Sequence, residues 1–345
     1  MSELTHPHRL EDLPCHDPFI LPIDGGYLLY TAFEEGRWER QIPPGSDYPN
    51  PGGAGVLAWW SPDLETWGSP SVVFTVPEGT WADPDRSPWA PEVHAVGDRF
   101  VLSTTLHAPD SPLDSVRQRG TLITLESENW ASGFAPSLRG SVLAVAEDPR
   151  GPFTLLDANQ SHTPPEFMAL DGTLYRDADG QLWMVYAHEW VQILDGTMEA
   201  VPLTDDLAVA GPPRHLFRAS EASWFAQVTP SVQALAPYVT DGPQLVPLPG
   251  GALGMLWASY RPGEAVATGE YVETQAISPS GSLFGPWVQG EVLVDGNAGH
   301  GMLFRAHDGT DVLVLHRGMN SPRVRAELHE VEIAADGVRA LRRRG

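Results

Sequence analysis

Apolar and polar positions along this chain fall into one recurring block. A short apolar run, a polar turn carrying Gly with Asp or Pro, and a second apolar run appear five times. The copies are "DPFILPIDGGYLLYTAF" from Asp17, "APEVHAVGDRFVLSTTLH" from Ala90, "DGTLYRDADGQLWMVYAHEW" from Asp171, "DGPQLVPLPGGALGMLWASY" from Asp241 and "HGMLFRAHDGTDVLVLHRG" from His300. The turns hold the residues that tight hairpins require, and the flanking runs are rich in Val, Leu, Tyr and Trp, as strands prefer. Each block predicts a β-hairpin. Successive copies start 73, 81, 70 and 59 residues apart, enough for a four-stranded propeller blade with its loops. Weaker echoes between the hairpins, "AWWSPDLETW", "VLAVAEDPRGPF", "AVPLTDDL" and "AISPSGSLFGPW", predict the outer strands.

The expected fold is therefore all-β, a five-bladed β-propeller, with residues 1–345 as a single domain because no Ser- or Gly-rich linker divides the chain. A β-sandwich does not explain five equivalent hairpins. The WD dipeptide of the common propeller repeats is missing, which points to a different propeller class. Composition agrees: 34 Gly and 33 Pro are spread along the chain and leave little room for long helices.

In a propeller the first strand of each blade lines the central channel. Equivalent hairpin starts then form a ring at one end, and these are Asp17, Ala90, Asp171, Asp241 and His300. The second strand returns toward that ring. It brings His188 and Glu189 near Asp171, and His316 or Arg317 near His300. Glu189, between the apolar run "LWMVYA" and Trp190, is expected to be partly desolvated, which raises a carboxyl pKa and suits a proton donor. Trp89 and Trp190 lie closest to the ring and are candidate sugar-stacking surfaces.

Charge narrows the partners. A formal charge of −24 disfavours nucleic acid and anionic membrane surfaces, whereas a neutral sugar is compatible. All 21 basic residues are Arg, which removes Schiff-base chemistry and the phosphate-loop lysine. Cys15 is the only cysteine, so neither an internal disulfide nor a thiolate zinc site can form. Beside His16 it suggests a thiol nucleophile only weakly, since adjacent strand residues point to opposite faces. "HEWVQ" has Gln192 where a zincin needs its second His, and neither a G-x-S-x-G elbow nor a phosphate loop is present. The opening "MSELTHPHRLEDLP" has no apolar signal core, which leads to an expectation of a cytoplasmic protein.

Taken in order, these segments resemble glycoside hydrolase family 43 from His16 to about Asn320. "HDPFI" resembles the first-blade motif, "WAPEV" the second, "LDGTLYRDADGQLWMVY" the third and "GHGMLF" the fifth, while "SPDLETW" and "DPRGPF" resemble outer-strand motifs. The resemblance implies hydrolysis with inversion. It makes Asp17 the general base, Asp171 the carboxylate that orients the acid and tunes its pKa, and His300 a holder of a central metal, often calcium. In the fourth-blade motif the family usually carries a Glu acid before Gly-Pro, but here "TDGP" places Asp241, one methylene shorter. Glu189 is the preferred acid on that account, with Asp241 as its competitor. His188, Trp89, Trp190, His316 and Arg317 are the candidate substrate contacts. The implied substrates are arabinose- and xylose-containing plant polysaccharides, and without a signal core in the opening the expected substrates are short oligosaccharides, with an α-L-arabinofuranosidase the favoured activity and a β-xylosidase the alternative. Two other readings are a fructan-cleaving propeller, whose "NDPNG"-like motif "HDPFI" does not match, and a sugar-binding propeller without catalysis.

Overall fold

The hairpins form as expected, and each gains two outer strands. In a computed structural model, residues 7–35, 52–114, 118–119, 122–123, 136–227, 238–263, 269–319, 321 and 323–344 are described. The first blade comprises Phe19–Ile23, Gly26–Glu34, Ala54–Ser61 and Ser71–Thr75, and the second Trp89–Val96, Arg99–Pro112, Ser137–Ala146 and Thr154–Leu155. The third is built from Ala169–Arg176, Leu182–His188, Thr197–Leu203 and Arg214–Arg218. Asp241–Pro247, Leu253–Arg261, Glu270–Ser278 and Val288–Gln289 make the fourth, and Ala298–Arg305, Asp311–Arg317, Arg325–Ala334 and Gly337–Arg344 the fifth. All pairings within a blade are antiparallel. The inner strand of each blade touches that of the next, and the fifth touches the first, which closes a five-bladed β-propeller. No helix among the described residues is long and apolar enough to cross a membrane.

The core lies between blades rather than within one. In Leu182–His188, Trp183, Val185 and Ala187 pack toward the fourth blade, while Leu182, Met184 and Tyr186 pack toward the second. Successive strand residues face opposite sides, so a strand covered on both faces must be apolar throughout. The same logic buries Trp257 with the third blade and Leu256 with the fifth. At the closure, Tyr27 of the first blade packs on Phe304 of the fifth, and its hydroxyl accepts the His307 N–H at 2.9 Å.

One backbone feature marks the start of every inner strand. Asp17, Ala90, Asp171, Gly242 and His300 adopt positive φ, at 48°, 45°, 57°, 52° and 56°. In blades two to five the pairing register shifts by one just after this residue. A non-glycine residue held in this region costs about 1–3 kcal/mol, a strain that surrounding structure must support. The expected central ring is thus present with one correction: its fourth member is Gly242, not Asp241. Asp241 sits one position earlier, level with His16, Trp89, Leu170 and Gly299. The reason is steric as well as conformational, because a Cβ on Gly242 would come within 2.8 Å of the His300 imidazole.

Candidate active site

Asp17, the left-handed residue just before the inner strand of the first blade, is surrounded by imidazoles. His300 Nδ1 lies 3.2 Å from Asp17 Oδ1, and His316 Nδ1 lies 3.1 Å from the same oxygen. The Asp17 N–H donates to His316 Nδ1 at 3.2 Å. Tyr271 stacks parallel to the His316 ring at 5.5 Å, and the His16 ring lies tilted against His316 at 5.5 Å. Burial alone would raise the Asp17 carboxyl. His300, His316 and His16 outweigh it and hold the group well below the ordinary carboxylate range. Burial pushes the His300 imidazole down, against the pull of Asp17.

Three other acids meet here, and each is shifted the opposite way. Asp171 is buried, and burial followed by the Asp241 and Asp17 charges pushes it well up. One of its oxygens accepts the Gly242 N–H at 3.1 Å, and His300 Nδ1 lies 3.7 Å away. Asp241 is pushed up to about 7 by burial and the Glu189 charge, while the Tyr271 hydroxyl pulls it down by donating to Oδ2 at 2.9 Å. Glu189 follows the second strand of the third blade and caps the short helix Trp190–Ile193, with its N–H bonded to the Met168 carbonyl. Burial raises its carboxyl, and Arg139 of the second blade, 2.7 Å away, opposes that shift. One carboxylate held ionised beside an acid pushed up to about 7 is the division of charge that acid–base catalysis requires.

The candidate substrate contacts divide. His316 belongs to the Asp17 cage. Trp89 is half-buried, with the Arg139 guanidinium over its face at 4.5 Å and His107 edge-on at 4.5 Å. Trp190 is half-buried against the cluster of Val239, Ala258, Tyr260 and Tyr271. His188 is packed: it stacks on Phe167 at 4.0 Å, and its Nε2 lies 2.8 Å from Gln192 Oε1. Arg317 has partners of its own: its guanidinium grips Glu327 through Nε and Nη2 at 2.8 and 2.6 Å and bonds the Asp295 and Gly296 carbonyls. Cys15 is buried and its thiol is pushed up by burial, so it offers no thiolate nucleophile.

Sequence reading missed Arg139, Tyr271 and His16. His16 had a local signal, being adjacent to Asp17. Arg139 and Tyr271 lie on the third strands of other blades, where nothing in the local sequence marks them. As a calcium holder, His300 offers one nitrogen, since Nδ1 is turned toward Asp17 and Asp171. Among the described residues the one set of three ligand atoms within 4.8 Å is His16, Asp17 and His316. His300 lies outside that set and would offer a cation a single nitrogen, leaving the rest of a hard cation's shell to water.

With this geometry in place, comparison assigns the family. The chain belongs to glycosyl hydrolases family 43, whose model matches residues 13–338, and it is a glycoside hydrolase acting on oligosaccharide substrates. Among solved structures it is similar to an endo-arabinase from Bacteroides thetaiotaomicron VPI-5482, at 29% identity over 95% of this chain and 98% of that one, with a TM-score of 0.72. It shares its fold with an endo-1,4-beta-xylanase from the same organism, at 19% identity over 96% of each chain and a TM-score of 0.64. An alpha-L-arabinanase from Cellvibrio cellulosa is similar in fold too, at 15% identity over 96% of each chain and a TM-score of 0.60. A search of curated proteins returned no match.

Proposed function

We propose that this glycoside hydrolase cleaves α-L-arabinofuranosyl bonds in short arabinose-containing oligosaccharides, with inversion. The observation that carries the sugar assignment is the 29% identity to an endo-arabinase across nearly the whole of both chains. The charge pattern at the centre supports the mechanism. Asp17, ionised among its imidazoles, takes a proton from the water that attacks the anomeric carbon. Asp241 gives its proton to the departing glycosidic oxygen, without which an alkoxide would have to leave. Asp241 holds the sequence position of the family's usual acid. Its nearest competitor, Glu189, is paired with Arg139, and that anion favours the proton staying on Asp241. Asp171 fixes the Gly242 N–H beside Asp241 and steadies His300. A calcium ion held by His300 and water would add positive charge near the carboxylates.

The test is a substrate panel: α-1,5-linked arabino-oligosaccharides, xylo-oligosaccharides, fructans and the nitrophenyl glycosides of arabinofuranose and xylose. Product anomers are followed by proton NMR. Release of arabinose units with the anomeric configuration inverted is expected. Cleavage of the xylosides alone would move the substrate assignment to β-xylosidase. No cleavage, with sugars still bound, would make the chain a binding propeller.

A further inference from the structure

The left-handed residue of each blade is followed by Pro18, Pro91, Gly172, Pro243 or Gly301. Proline has no N–H, so three of these positions need no acceptor. Gly172 and Gly301 do. In the third blade the need is met by two hydroxyls of the second. Thr105 Oγ1 accepts the Asp171 N–H at 2.9 Å, and Ser141 Oγ accepts the Gly172 N–H at 2.9 Å. Those residues share one register row, Trp89–Thr105–Ser141.

The matching row of the fourth blade is Asp241–Ala258–Glu273. Ala258 has no side-chain acceptor. Glu273 Oε2 accepts the Gly301 N–H at 2.8 Å, and the His300 N–H also bonds this carboxyl. One acid thus does what two hydroxyls do elsewhere. Glu273 is fully buried, and its other oxygen, Oε1, has no partner. Among the described residues it has no ion pair, so an amide oxygen can take over as acceptor of the Gly301 N–H. A buried polar atom left unsatisfied costs stability, and an apolar side chain would fit the core better. Close approach reinforces the point: a Cβ on Gly301 would lie 2.9 Å from Glu273 Cδ.

We propose that Glu273 is a positioning residue that anchors the His300–Gly301 backbone and so holds the His300 imidazole between Asp17 and Asp171. His300 is one of the strained left-handed residues, and its imidazole reaches Asp17 at 3.2 Å and fills the space above Gly242. Without the anchor, the imidazole leaves Asp17. The inference rests on Asp17 being the base.

The test compares wild type with Glu273→Met and Glu273→Gln, with Glu273→Ala standing in if the Met variant does not fold. Crystal structures and steady-state kinetics are read on whichever substrate the wild type cleaves. The Met variant is expected to fold, to show His300 displaced from Asp17, and to lose about a hundredfold in kcat with KM little changed, the scale of a 1 Å misplacement. The Gln variant, which keeps an acceptor oxygen, is expected to restore both position and kcat. A Met variant with His300 in place and kcat at the wild-type level would overturn the proposal, as would a Gln variant as impaired as Met. If the wild type cleaves nothing in the panel, the functional reading fails, and the position of His300 alone still decides this one.

Discussion

Tyr271→Phe removes one hydroxyl from the site and leaves the stacked ring on His316. In the wild type that hydroxyl donates to Asp241 Oδ2 at 2.9 Å and stabilises the ionised carboxylate. A hydrogen bond to a charged group contributes about 1.5–3 kcal/mol, and one pKa unit corresponds to about 1.4 kcal/mol. Losing it should raise the Asp241 pKa by roughly one to two units. Asp241 must be protonated to act, so activity falls as pH rises through its pKa, which stands at about 7. The basic limb of kcat/KM against pH should therefore move from near 7 to about 8–9 in Tyr271→Phe. Glu189→Gln should move it the other way, because the Glu189 charge is what, after burial, holds the Asp241 proton on. The assay is a pH–rate series on an activated aryl glycoside and on an oligosaccharide. A basic limb unmoved in Tyr271→Phe, or moved to lower pH, would refute the assignment of that limb to Asp241.

Asp17→Ala should lower kcat by about 10²–10⁴ on good and poor leaving groups alike, since every substrate needs the attacking water activated. Glu327→Gln should reduce stability at neutral pH by roughly 3 kcal/mol, an upper scale set by a carboxyl drawn down to about 2 by His329 and Arg317 against the opposing effect of burial. Because that pKa is depressed, the stabilisation is fully present above the unfolded value near 4.3 and disappears as pH falls toward 2. Denaturant melts of the two proteins should thus differ at pH 7 and converge at low pH, and an equal gap at both would count against the clamp. Trp257→Ala, which empties a fully buried site between the third and fourth blades, should cost about 3–5 kcal/mol in the same melts.

Much of the fold could be read from the chain because the repeat is local. Each turn has its Gly, each hairpin its two apolar runs, and the outer-strand echoes fall where the third strands form. Register across blades was harder. Matching "DGTL" to "DGPQ" by their Asp-Gly pairs puts Asp241 level with Asp171. Matching the prolines of "DPF", "APE" and "GPQ" aligns Asp17, Ala90 and Gly242, which is how their shared positive φ aligns them. The prolines carried the structural signal because at those three positions no N–H needs an acceptor. The convergence of Asp17, Asp171, His300 and His316 was legible, because they sit on or beside the inner strands. Arg139, Tyr271 and Glu273 reach it from third strands, across a gap in sequence that only the closed ring brings together. The ion pair of Arg317 with Glu327 was not legible, because it is a cross-strand event ten residues away.

The most direct test of the account is the leaving-group dependence of Asp241→Ala, with Glu189→Ala measured beside it. Each variant is assayed on a dinitrophenyl arabinofuranoside, which needs little protonation, and on an arabino-oligosaccharide, which needs it fully. Asp241→Ala is expected to retain most of its rate on the aryl substrate and to lose about 10²–10⁴ on the oligosaccharide. If Glu189→Ala shows that split instead, while Asp241→Ala slows both substrates equally, the proton comes from Glu189 and the charge assignment at the centre of this site is wrong.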